Sequence, residues 1–146
     1  EKGYESYIET HDLEPFPVQV LSIERTLCEK PLSLIRLSYN GADELASKIR
    51  HFYDIAKIVK IAPPSESMAK IFSDALNDDT SNATFRGEWQ SHALGEAPLF
   101  TRYDELWKGL ERTYTRELSE LVWDRDAMPS SEEVKEAILM VQDLVV

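Results

Sequence analysis

At 146 residues, with 42% hydrophobic and 29% charged residues, the chain has the size of one domain with a respectable core and the composition of a soluble globular protein. Its net charge of −11 argues against general affinity for nucleic acid, which requires clustered cations to neutralise phosphates. No apolar run approaches the ~20 residues of a membrane span and no signal peptide is visible. Cys28 is the only cysteine, which excludes an internal disulfide and points to a reducing, cytoplasmic compartment. Glu1 stands where an intact chain would begin with Met, as expected of a fragment or a processed protein.

The charge is unevenly spread. Residues 24–70 carry eight Lys and Arg against six Asp and Glu, whereas residues 71–146 carry seven against sixteen. A surface that faces phosphates is therefore expected only within 24–70. The plainer account of those charges is a set of solvated helix faces.

Taken in order, residues 3–9 read as an imperfect strand through Tyr4, Tyr7 and Ile8. Pro17-Val18-Gln19-Val20-Leu21 reads as a better one, being β-branched and preceded by Pro15. Two strands alone are barely stable in water, so this β segment, 1–21, is expected to complete a sheet belonging to an upstream domain. From Ser22 the chain turns helical to about Ser38, with Ser22 as N-cap and Glu24 in the first turn. Pro31 interrupts that helix and sets Lys30 at a kink or a helix junction.

Asn40-Gly41 is a stop signal, and Asp43 is the expected cap of a second helix running to Lys60. Leu45, Ile49, Phe52, Tyr53, Ala56 and Val59 form its apolar stripe. Arg50 and Asp54 lie off that stripe, four residues apart, and are spaced for an ordinary surface pair. His51 reads as a polar-face residue, since no partner stands at metal-ligand spacing.

Pro63-Pro64 ends the second helix, and Ser65 caps a third through Met68, Ile71, Phe72, Ala75 and Leu76. Residues 77–101 are the least regular part, yet Phe85, Trp89, Leu94, Leu99 and Phe100 imply that they pack down. A long helix over Arg102–Val122 follows, striped by Tyr103, Leu106, Trp107, Leu110, Tyr114, Leu118 and Leu121. Ser130-x-x-Glu133 is a capping box, opening a last helix that buries Val134, Ile138, Val141 and Val145. The sum is a mainly α protein: about five helices over residues 22–146, with a short N-terminal β element.

No Gly-rich phosphate loop, Cys-x-x-Cys, His-Glu-x-x-His or Gly-x-Ser-x-Gly occurs. Asp124-Arg125-Asp126 has the spacing of a metal-binding pair, but it lies in a loop between helices beside a proline. Asn77-Asp78-Asp79 lacks the glycine and distal Glu of a calcium loop. No metal site is expected. Two motifs remain, Glu24-Arg25-Thr26-Leu27-Cys28-Glu29-Lys30 and Arg50-His51-Phe52-Tyr53-Asp54-Ile55. They put Lys30 on one helix and Asp54 on the next, where opposite charges can pair or can work together on a phosphate ligand.

Together these motifs resemble the C-terminal half of the AbiEii/AbiGii toxin family, nucleotidyltransferases of bacterial abortive-infection and type IV toxin–antitoxin systems. The resemblance implies transfer of a nucleoside monophosphate from a nucleoside triphosphate to an acceptor such as RNA or tRNA, with Mg²⁺ in the full-length parent. It implies catalytic roles for Lys30, on the nucleotide's phosphates, and Asp54, which supports the site. On that reading Lys30 and Arg50 are the expected substrate-binding residues, with Arg50 in a supporting role. The family's Gly-Ser and Asp-x-Asp motifs are absent before Glu24. The expectation is therefore a missing N-terminal catalytic domain, no cofactor in this fragment, no activity of the fragment alone, and an antitoxin encoded nearby. The rival reading is a non-catalytic, acidic, helical protein-interaction module.

Overall fold

In a computed structural model, the residues described are 10, 11, 16–89 and 94–145. Among them the protein is mainly α, with α1 (Ile23–Ser38), α2 (Ala42–Ala46), α3 (Ile49–Ile61), α4 (Ala69–Ser81), α5 (Pro98–Thr101), α6 (Tyr103–Arg112) and α7 (Ser131–Gln142). The expected strand at 3–9 lies outside the described residues. The expected strand over 17–21 is not formed: no strand occurs among the described residues, and Phe16, Val18, Val20 and Leu21 are exposed. A strand needs a partner ladder for its amides and carbonyls, and among the described residues these have none.

α1 is the centre of the fold and packs on α2, α3, α4 and α5. Its start is as expected: Ser22 Oγ accepts from the Arg25 amide at 3.1 Å, and the Thr26 hydroxyl donates to the Ser22 carbonyl. The expected helix junction is not formed: α1 is one continuous helix with Pro31 inside it. Proline there costs about 3 kcal/mol because it cannot donate to the carbonyl one turn back. Burial of Leu27, Cys28, Leu32, Leu34 and Ile35 outweighs that cost, since each buried side chain of this size contributes about 1.5–3 kcal/mol. Burial also pushes the Cys28 thiol up to about 11, which leaves it unreactive.

The single helix expected from Asp43 to Lys60 is two. Gly41, at φ +94°, stands at the N-cap of α2 where Asp43 was expected to cap, and Asp43 sits in the first turn. At Ser47 the hydroxyl bonds the Glu44 carbonyl at 2.7 Å, and the Ser47 and Lys48 amides reach back only three residues. Local bonding by serine thus competes with the helical ladder and ends it. The stripe survives the break, with Leu45, Ile49, Phe52, Ala56 and Val59 buried and Ile55 added to them.

α3 packs between α1 and α7, and α2 packs on α6. Beyond Arg112 the backbone widens to a π turn over Thr113–Glu117, then tightens to a 3₁₀ turn over Leu118–Glu120. That change of pitch rotates Leu121 off the expected stripe, and it is 73% exposed. Trp107 joins α6 to α3: its ring stacks on Tyr103 with centroids 5.6 Å apart and meets Phe52 edge-on at 5.7 Å. The Ser130–Glu133 capping box is present at the start of α7. No helix among the described residues is long and apolar enough to cross a membrane.

Candidate functional site

Lys30 lies eight residues into α1 and Asp54 six residues into α3, on facing sides of two packed helices. The Lys30 ammonium donates to Asp54 Oδ2 at 2.7 Å, with the two side chains 22% and 31% exposed. Partial burial makes this a stronger interaction than a surface ion pair, because the low local dielectric screens it less. The surface pair expected between Arg50 and Asp54 is not made. Asp54 is committed to Lys30, and Arg50 forms no ion pair among the described residues.

Lys30 opens onto a groove of about 590 Å³ between α1, the start of α3 and the end of α4. Arg25, Arg36, Lys48 and His51 line it with Lys30, a concentration of basic groups that the sequence hinted at only as a small excess over residues 24–70. The opposite wall is acidic. Arg25 bonds Glu29 at 2.6 Å and Asp78 at 2.7 Å, while Arg36 bonds Asp79 and Glu88 and lies 3.8 Å over the Phe85 ring. Arg36 is only 7% exposed, and its partners pin the turn that follows α4 against α1. Sequence reasoning missed Arg36, because its counter-ions stand 43 and 52 residues away.

His51 is half-buried in the same groove, and its Nδ1 is buried with no hydrogen-bond partner among the described residues. Burial, then the charges of Lys30 and Lys48, lower its pKa from 6.5 to about 4, against a smaller opposing pull from Asp54. It is a neutral imidazole near pH 7, which places an uncharged donor and acceptor beside Lys30.

Magnesium requires near-octahedral oxygen coordination. Among the described residues no group of three or more His, Cys, Asp or Glu is gathered to hold a metal. Asp54 is engaged by Lys30, and Asp124 Oδ1 accepts from the Ala127 amide within its own loop. The described residues do not fit a resident magnesium ion.

A family model described as nucleotidyl transferase AbiEii toxin, Type IV TA system, matches residues 1–137. The chain belongs to that family. Membership brings, in general terms, a nucleotide substrate and an antitoxin partner, and it extends across both motifs and most of the helical body of this AbiEii chain. No curated protein and no solved structure matches it.

Proposed function

We propose that this AbiEii chain is the helical part of a cytoplasmic toxin that transfers a nucleoside monophosphate from a nucleoside triphosphate to an RNA acceptor, tRNA included. Residues 22–146 form a helical domain that works with a catalytic domain preceding it, which supplies the metal-holding carboxylates. The chain alone is inactive on this reading. In the reaction an acceptor hydroxyl attacks the α-phosphorus, its proton passes to solvent, and the bond to the leaving pyrophosphate breaks. Negative charge accumulates on the outer phosphates, so a cation held there lowers the barrier.

The observation that carries the reading is the Lys30–Asp54 bond at the mouth of a groove lined by cations. One ammonium proton is used by Asp54 and two remain for phosphate oxygens. Asp54 thereby fixes the direction of a side chain that is otherwise flexible. Arg50 lines the neighbouring depression rather than this groove, and is a supporting cation for the substrate from there.

A second reading has an observation of its own. The 2.7 Å bond satisfies both charges, as a structural clamp between α1 and α3 would. Substitutions in the full-length toxin separate the two. Lys30→Ala and Asp54→Ala are each expected to lower nucleotidyl transfer by about 10²–10³-fold, the usual effect of removing one group that stabilises transition-state charge. Thermal unfolding should shift by no more than a part-buried ion pair warrants, about 1–2 kcal/mol. Arg50→Ala should be milder. Full activity in both variants, with or without a loss of stability, would leave only the clamp.

A further inference from the structure

Beyond the groove, we infer a seat for one unpaired nucleobase, with Trp123 as its stacking platform and Arg50 as the cation for the adjoining phosphate. The choice of ligand rests on the nucleotidyltransferase reading above. The seat is a depression of about 280 Å³ on the far side of Asp54 from the groove, lined by Arg50, Tyr53, Asp54, Leu121 and Trp123 among others. The Lys30–Asp54 bond links the two: Asp54 lines this depression and Lys30 lines the groove. A nucleotide's base and phosphates would thus meet neighbouring surfaces.

Trp123 is the most exposed large hydrophobic residue described, at 102% of its reference area, so its indole is open to solvent. Its loop is nevertheless held. Val122 and Met128 pack against the core, and the Tyr114 hydroxyl donates to the Pro129 carbonyl at 2.8 Å. Lys57 donates to the Ala127 carbonyl at 3.3 Å, and the Ala127 amide to Asp124 Oδ1 at 3.3 Å. An aromatic face on a pinned loop stacks a base without first having to order the loop. Every base has such a face, so stacking of this kind tolerates sequence.

The charges set the size of the ligand. Arg50 makes no ion pair among the described residues, leaving one guanidinium for one phosphate. Asp124 lies in the wall, and Glu120 and Asp126 are close in sequence, so a run of phosphates is repelled. One base with one phosphate fits that balance, and a duplex does not.

The test is titration of the intact protein with AMP, with single-stranded pentaadenylate RNA and with a blunt-ended two-strand RNA duplex. Tryptophan emission and the anisotropy of labelled RNA are followed. Quenching is expected with a single base available, and it should vanish in Trp123→Ala, with affinity falling about tenfold. Trp123→Phe should restore most of the affinity. Arg50→Ala should weaken binding and flatten a salt slope of about −0.7, the value for one phosphate. Lys30→Ala should keep the quench, so failure of the catalytic assignment would show separately from failure of this one. Quenching by AMP as strong as by pentaadenylate assigns the seat to a free nucleotide; quenching by pentaadenylate alone assigns it to the end of an acceptor strand. No quench by either, an undiminished quench in Trp123→Ala, or equal binding of the duplex would overturn the inference.

Discussion

His51 is the residue whose setting departs furthest from its sequence. Spacing makes it a polar-face residue of an amphipathic helix. The fold places it half-buried beside Lys30 and lowers its pKa to about 4. In the unfolded chain an imidazole titrates near 6.5. Between about pH 6.5 and about 4 the unfolded state therefore binds more protons than the folded one. The neutral imidazole contributes its full stability above 6.5, and that contribution is lost as the pH falls toward 4. Urea midpoints measured from pH 7 to pH 4.5 should fall, and His51→Gln should flatten the decline. A His51→Gln profile as steep as the parent's would refute this account. Glu133 acts in a lower window: its bonds to Lys60 and to Ser130 hold its pKa near about 2, so its contribution is lost only between 4.5 and 2.

At the scale of elements, two sites test how the helices are started and packed. Ser130 Oγ accepts from the Glu133 amide and Glu133 Oε2 accepts from the Ser130 amide at 2.7 Å, so two amides at the start of α7 that lack helical partners are satisfied. Ser130→Ala should cost about 1 kcal/mol, or roughly 3–4 °C in Tm, with the native contacts otherwise kept. Gly109 marks the closest approach of α6 to α2: a Cβ there would lie 2.6 Å from Cβ of Ala42. Helix propensity alone favours alanine at this position by about 1 kcal/mol. Overpacking against the Ala42 methyl, which has no rotamer by which to move away, costs about 1–3 kcal/mol, so the clash should win and Gly109→Ala should destabilise. Ala42→Gly in the same chain should recover most of the loss, because the two positions share one contact. Chemical denaturation of the two single variants and the double variant measures that coupling; an additive result would mean that the helices simply shift apart.

For the molecule as a whole, the charge distribution decides what it can hold. With a net charge of −11, and with Arg25, Lys30 and Arg36 each bonded to a carboxylate, the described residues present no broad cationic face to a polyanion. The protein should pass through a heparin column unretained at about 0.15 M salt, where screening leaves only short-range contacts. Retention to high salt would show that the carboxylates of α4 and its following turn release the groove.

The sequence by itself determined the mainly α class, the caps at Ser22 and Ser130, the stripe from Leu45 to Val59 and the placing of Lys30 and Asp54 on neighbouring helices. These features are legible because capping and helical periodicity are local: each is set by residues three or four apart. Tertiary structure alone decided the rest. Nothing near Pro31 says that α1 runs through it, since the burial that outweighs the proline is supplied by four other helices. Nothing near Asp54 says that it bonds Lys30, 24 residues away, in preference to Arg50 one turn away. The pairing of Arg36 with Asp79 and Glu88, the lowered pKa of His51 and the exposure of Trp123 depend in the same way on groups brought together from distant parts of the chain. Charge pairing and burial act through space, and the fold sets those distances.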